Sequence, residues 1–242
     1  MLATESKLPV QGGPAKRAYV RAMFTAIAPT YDRLNRIISL RFDQRWRRDA
    51  VGRLGWERWP AGRYLDLCGG TLDFAAILAR QPGFRGQVVG ADFVPAMLRL
   101  GRAKAGRVVP VAADALELPF ADQTFDGVLV GWGLRNLVDL DAGLREMARV
   151  VKPEARIAVL ETGTPSRQPM RGAFLWYFGR VLPWIGRVIS HHATAYQWLP
   201  ESTRAFPPPD ELVDRMRGAG FHEVTVQPLM FGVTMLFAGV RA

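Results

Sequence analysis

From Arg63 to the C-terminus, short apolar runs alternate with amphipathic stretches in a pattern that few folds accept. The runs RYLDLC, GQVVGAD, VVPVAAD, FDGVLVGW and RIAVLET are interleaved with helical periodicity over Leu72–Gln81, Val94–Ala105 and Leu140–Val151. Runs that are apolar on both faces need cover on both faces, so they predict a parallel sheet between two layers of helices, an open α/β sandwich. After Pro207–Pro209 the segment DELVDRMRGAGF reads as a helix stopped at Gly218 and Gly220, followed by two strands, HEVTVQPL and FGVTMLFAGV. Sequential strands joined by a short link pair antiparallel.

The 242 residues, 49% of them hydrophobic, suffice for one substantial core. We expect a single domain over 1–242, with an N-terminal helical cap at about 14–60 and a helical insertion at about 166–206. MLATESKLPVQGG holds no apolar run of signal-peptide length. Cys68 is the single cysteine, which excludes an internal disulfide and a zinc site built on several cysteines, and makes a cytoplasmic location the expectation. The charge-free stretch Val224–Val240 is broken by Gln227, Pro228 and Gly232 and is shorter than the ~20 apolar residues that span a bilayer. The net charge of +10 is compatible with nucleic acid, an anionic membrane surface or an anionic small molecule. Most of the basic residues are arginines spread along the chain, so composition alone does not choose among these.

In such a sheet a ligand sits beyond the carboxyl ends of the strands. Asp66 and the turn Cys68–Asp73 follow the first strand, Asp92 ends the second, Asp114 the third, and Gly131–Asn136 follow the fourth. The Gly69–Gly70 turn admits close backbone approach, and Thr71 leads into a helix whose N-terminus offers free N–H groups to a carboxylate. Asp92 is placed to accept from ribose hydroxyls, and Asp114 from the exocyclic amine of adenine with Ala115 against the ring. The GxGxxG spacing that a pyrophosphate requires is missing, which argues against a dinucleotide. A mostly parallel Rossmann-like sheet that ends in an antiparallel hairpin is the arrangement of class I S-adenosylmethionine-dependent methyltransferases. S-adenosylmethionine is therefore the expected cofactor.

The loop after the fourth strand reads GWGLRN, unlike the Asn/Asp-Pro-Pro-aromatic tetrapeptide of enzymes that methylate nucleobase amines. Cys68, in the cofactor turn, is misplaced for a nucleophile on a pyrimidine ring. No nucleic-acid partner is expected. The segments MFTAIAPTYDRLNRIISLRFDQRWRR, LDLCGGTLDF, ALELPFADQTFDGVLVGWGLRNLVDLDAGLREMARVVKP, YQWLPESTRAFP and AGFHEV together resemble the C-methyltransferases of menaquinone and ubiquinone biosynthesis, from about Arg21 to the C-terminus.

The resemblance implies methyl transfer to a ring carbon of a prenylated quinol such as demethylmenaquinol, with Thr71, Asp92, Asp114, Ala115 and Gly131 at the cofactor. Where the family usually has glycine this chain has Leu72 and Glu154–Ala155, and Trp132 stands for a phenylalanine. A ring carbon beside a phenol is nucleophilic once the hydroxyl, of pKa about 10, has lost its proton. Arg135 is the candidate to stabilise that oxyanion, Asn136 to orient it, and Tyr31 with Asp32 to close the site and relay the proton.

His191, His192 and His222 lack metal-ligand spacing with carboxylates, and no metal is expected. The aromatic, arginine-bearing insertion suits an apolar lid or an interfacial helix, hence a peripheral membrane contact. Oligomeric state stays open, a homodimer included. Two alternatives stand beside this reading: an O- or N-methyltransferase of another small aromatic, and an RNA-binding protein of the same fold.

Overall fold

The computed structural model describes residues 8–181 and 193–242. Three helices come first, α1 (Gly13–Ile27), α2 (Tyr31–Ile38) and α3 (Phe42–Leu54). Then follow β1 (Arg63–Leu67), α4 (Asp73–Ala79), β2 (Gln87–Asp92), α5 (Pro95–Arg102), β3 (Val108–Ala112), β4 (Phe125–Gly131), α6 (Leu140–Val150) and β5 (Val151–Thr162). The insertion supplies α7 (Met170–Trp176) and α8 (Ala193–Ala205). The chain closes with α9 (Pro209–Gly218), β6 (Phe221–Leu229) and β7 (Thr234–Arg241).

The strands form one sheet in the order β3-β2-β1-β4-β5-β7-β6. β1 to β5 are parallel, and β7 runs against both of its neighbours, as the terminal hairpin predicts. β1 lies between β2 and β4, so the connections leave it in opposite directions and open a crevice at the strands' carboxyl ends. β4 is buried from Phe125 to Val130, which accounts for its apolar run Val128–Val130.

Each face of the sheet carries its own core. Leu144, Met147, Leu212 and Met216 from α6 and α9 pack with Val128, Val130 and Ile157 on one side. Ala50, Val51 and Leu54 from α3 pack with Tyr64, Phe74, Leu98 and Leu129 on the other. The expected N-terminal cap therefore divides. α3 belongs to the sandwich and packs against β4 and β5, while Val20, Met23, Ile27 and Leu34 of α1 and α2 gather around Trp198 of α8. Among the described residues no helix is long and apolar enough to cross a membrane.

Three departures from the family pattern, Leu72, Trp132 and Glu154, fall on left-handed backbone. Leu72 has φ 62° and Glu154 φ 63°, a conformation that costs glycine nothing and a side chain something. Leu72 offsets this by burying its side chain completely against two glycines: a Cβ on Gly90 would collide with its Cδ2, and one on Gly101 would stand 2.8 Å from its Cγ.

Candidate active site

The turn after β1 starts α4 without a capping side chain on the helix itself, since Leu72 at the N-cap has none to offer. Asp66 supplies the cap from the strand: its Oδ2 accepts the Ala75 N–H at 2.9 Å, and the residue is 1% exposed. Burial, partly opposed by that hydrogen bond, pushes its carboxyl up to about 7. Asp92 braces the other side of the turn. Its Oδ2 accepts the Gly70 N–H at 2.9 Å and its Oδ1 the Val94 N–H at 2.8 Å, and burial raises its pKa.

Two cavities meet over the carboxyl ends of the strands. The first is walled by Cys68, Gly70, Asp92, Asp114, Ala115 and Gly131, with Phe24 and Tyr31 from the N-terminal helices above. Of the sequence-derived cofactor residues, the structure brings Gly70, Asp92, Asp114, Ala115 and Gly131 onto this wall. Asp66, Gly69 and Thr71 stand behind it. Asp66 turns to α4, and the Thr71 hydroxyl donates to Asp32 and accepts from Lys104 Nζ at 3.0 Å. Lys104 also donates to Asp32 at 2.7 Å and pairs with Asp73, so this knot fastens α2 to the turn. Asp114 is ion-paired with Arg17 of α1. Burial pushes the Cys68 thiol well up, which keeps it a thiol.

The donor set fits the expected cofactor. The turn carries Gly70 at φ 52°, where a side chain would be strained, so backbone lies open to the ligand. Asp92 keeps lone pairs beyond those given to Gly70 and Val94, which suits hydroxyl donors. Phe93, Met97 and Ala115 supply apolar wall for a flat ring.

The second cavity, of about 280 Å³, adjoins the first across Tyr31 and Trp132, which line both. Its walls are mainly apolar, from Ile38, Trp46, Phe174, Tyr177, Phe178 and Val233. Two arginines enter it. Arg135 is paired with Glu161, which is 1% exposed and also accepts the Thr162 N–H at 2.9 Å. Arg47 pairs with Asp43 at 2.7 Å, and its guanidinium carbon lies 4.7 Å from the centre of the Trp132 ring. Among the described residues, the Nε of each arginine is buried without a hydrogen-bond partner. Burial raises the Tyr31 phenol, while a hydrogen bond with Asn35 and the fields of Arg47 and Arg135 pull the other way. Both cations are thus felt by a phenol at the junction.

Asn136 lines the first cavity, but its amide is occupied: Oδ1 accepts from Trp198 Nε1 at 2.9 Å and Nδ2 donates to the Trp132 carbonyl at 3.2 Å. It fastens α8 to the β4 loop. Asp32 likewise faces Thr71 and Lys104 and lines neither cavity. His191 and His192 lie outside the described residues, as does the middle of the aromatic insertion.

Sequence reasoning missed Arg47 and Glu161. Arg47 has a signal, because with Asp43, Ala50, Val51 and Leu54 it recurs at the three- and four-residue spacing of the buried stripe of α3. A charge on such a stripe needs a reason. Glu161 is the acid near the carboxyl end of β5, the counterpart of Asp66 and Asp92 on β1 and β2.

The chain resembles known proteins in the same sense. It is 46% identical over 224 residues to the demethylmenaquinone methyltransferase of Thermus thermophilus, covering 90% of this chain and 100% of that one. It is 41% identical over 228 residues to the ubiquinone/menaquinone biosynthesis C-methyltransferase UbiE of Geobacter sulfurreducens, covering 92% and 88%. The fold matches that of an S-adenosylmethionine-dependent methyltransferase from Thermotoga maritima with a TM-score of 0.63 at 19% identity, over 91% of this chain and 99% of that one. The profile of the ubiE/COQ5 methyltransferase family matches residues 13–241. With that match over nearly its whole length, the chain belongs to the ubiE/COQ5 methyltransferase family and is an S-adenosylmethionine-dependent methyltransferase.

Proposed function

We propose that this chain methylates a ring carbon of a prenylated quinol, converting demethylmenaquinol to menaquinol or acting on the corresponding ubiquinone precursor. One observation carries the reading. A mainly apolar cavity adjoins the cofactor crevice, and the cations that line it are two buried guanidinium groups, Arg47 and Arg135. An apolar ring bearing two hydroxyl oxygens matches that combination of walls and charges.

S-adenosylmethionine, when bound, supplies the electrophilic methyl group. Gly70, Asp92, and Asp114 with Ala115 would lie against its methionyl end, ribose and adenine, with Gly131 beside them; Asp66, Gly69 and Thr71 shape the turn. Arg135 favours ionisation of the acceptor hydroxyl by lying near the developing oxyanion in an apolar, low-dielectric site; the hydroxyl proton passes to solvent before the site closes, and the proton on the methylated ring carbon follows when it reopens. Glu161 fixes the guanidinium, so little reorganisation remains when charge develops. Tyr31 stays protonated because burial raises its phenol, and it serves as a hydrogen-bond donor at the junction. Asn136 is a positioning residue that holds the lid helix α8. Closing over α1, α2 and α8 excludes water and keeps the acceptor carbon near the methyl.

The work place that follows is the cytoplasmic side of the membrane, with peripheral contact. The test is methyl transfer from labelled S-adenosylmethionine to short-tailed demethylmenaquinol and to a demethylated ubiquinone precursor under reducing conditions, with the methyl position read by NMR. We expect a ring-carbon product. Cofactor binding with no turnover of either quinol, or a product methylated on oxygen, would overturn the acceptor assignment.

A further inference from the structure

The mouth of the acceptor cavity carries large apolar side chains that the core does not use. Leu40 is 70% exposed, Trp176 64% and Phe231 73%, accompanied by Phe42, Leu175 and Met230. Leu40 and Met230 line the cavity itself. Trp176 adjoins the lining residue Tyr177, and Phe231 adjoins Met230. These side chains come from three separate parts of the chain, the α2–α3 junction, α7 and the β6–β7 turn.

Local backbone makes the choice of residues more unusual. Leu40, Met230 and Phe231 have φ of 50°, 46° and 59°. At an exposed left-handed position glycine or asparagine is favoured on both conformational and solvation grounds. Here a leucine, a methionine and a phenylalanine accept the unfavourable backbone, and among the described residues Leu40 and Phe231 leave most of their apolar surface uncovered.

The parts of the chain that carry these tips also carry the arginines Arg33, Arg36, Arg41, Arg167, Arg171 and Arg180. Of the acids that flank them, Asp32, Asp43 and Glu161 are already paired with Lys104, Arg47 and Arg135. All six of these arginines are exposed. Apolar tips beside exposed arginines, with the neighbouring Asp32, Asp43 and Glu161 held in internal ion pairs, complement a surface that is anionic at the headgroups and apolar beneath.

We infer that this rim is a membrane-docking face, which inserts Leu40, Trp176 and Phe231 among lipid tails while the arginines bind anionic headgroups. The cavity mouth then opens into the bilayer, and a tailed acceptor enters ring first with its chain left in lipid. The reason for docking there rests on the quinol reading above; the docking itself does not.

The experiment is sedimentation of the full chain with vesicles of phosphatidylcholine alone and of phosphatidylcholine mixed with phosphatidylglycerol, without substrate. We expect binding to the mixed vesicles and much weaker binding to the neutral ones. The double variant Trp176→Ser/Phe231→Asn, which alters two residues outside the cavity lining and gives position 231 a residue suited to its backbone, should lose about tenfold or more in vesicle affinity. Its turnover of a short-tailed, water-soluble quinol should be unchanged, while turnover of a long-tailed quinol carried in mixed vesicles falls. Arg171→Glu/Arg180→Glu should remove the preference for anionic vesicles. Docking is overturned if wild type binds neither vesicle, or if the double variant binds as wild type does and salt alone releases both. A wrong acceptor shows differently, as vesicle binding by wild type with no quinol turned over.

Discussion

Arg135 and Glu161 form an ion pair at the wall of the second, mainly apolar cavity, with the glutamate sealed from solvent and the arginine lining the cavity. Arg135 follows β4 and Glu161 lies near the end of β5, so strand pairing itself sets the pair's geometry. Because Arg135 lines the acceptor cavity and not the cofactor cavity, Arg135→Ala should lower kcat by about 10²–10³-fold and leave S-adenosylmethionine affinity nearly unchanged. Calorimetric titration of the cofactor beside steady-state kinetics checks both halves. Loss of cofactor binding would make the residue a cofactor clamp instead. Glu161→Gln leaves a buried cation without its counter-charge and should destabilise the fold by about 3–5 kcal/mol.

Arg47 makes a parallel prediction. Its guanidinium stacks on Trp132 and pairs with Asp43, which fixes it in the wall of the same cavity. Arg47→Lys keeps the charge and loses the planar stacking, so KM for the quinol should rise severalfold with a smaller change in kcat. Arg47→Met should lower both kcat and kcat/KM. If Arg47→Met turned over quinol like wild type, the cation would be a fold element only.

Asp66 gives the apo protein a pH signature. Its carboxyl is held up at about 7 by burial, against an ordinary value of 3.8. Between those values the folded state holds a proton that the unfolded state has released, so this contribution to stability is complete below about pH 4. It is lost as pH rises toward 7 and is constant above that. Asp66→Asn keeps an acceptor for the Ala75 N–H and does not titrate. Denaturant midpoints measured from pH 5 to pH 8 should fall more steeply for wild type than for the variant. Parallel curves would mean that Asp66 ionises in the folded state as it does in water.

Much of the molecule is legible in the sequence because its signals are local. The doubly apolar strands, the terminal hairpin and the acids near strand ends follow from periodicity and position, and β2 ends on Asp92 as read. What the sequence hides depends on three-dimensional partners. Nothing local says that Asp66 would cap α4, or that Asn136 would give its amide to Trp198 some 60 residues on. The division of the N-terminal helices was hidden for the same reason. α3 is as arginine-rich as a solvated helix, and its place in the sandwich rests on a narrow stripe through Ala50, Val51 and Leu54. Leu72 is the converse case, a local rule broken for a packing gain that only the neighbouring Gly90 and Gly101 reveal.

That packing can be tested by restoring the residue usual in the family. Leu72→Gly relaxes a left-handed backbone worth about 1–2 kcal/mol. It also empties a fully buried site, and large-to-small changes there cost about 2–5 kcal/mol. The net expectation is a loss of about 1–3 kcal/mol by chemical denaturation, despite the substitution's family precedent. Leu72→Gly/Gly90→Ala refills part of the space and should recover some of it. A stabilised Leu72→Gly protein would mean that backbone strain outweighs packing at this turn.

Tyr31 separates two mechanisms at the junction of the cavities. A base there would need its phenolate, yet burial raises the phenol above its ordinary value, so at neutral pH it is a donor. Removing a donor that strengthens one hydrogen bond in the transition state should cost about tenfold in kcat. Tyr31→Phe should therefore turn over roughly ten times more slowly, while the pH at which kcat/KM rises stays where it is in wild type. A base assignment predicts otherwise, because the limb of the profile that reports its deprotonation would vanish with the hydroxyl. Measuring kcat/KM from pH 6 to pH 10 for both proteins decides the matter. A limb present in wild type and missing in Tyr31→Phe would give Tyr31 the proton and leave Arg135 with the oxyanion alone.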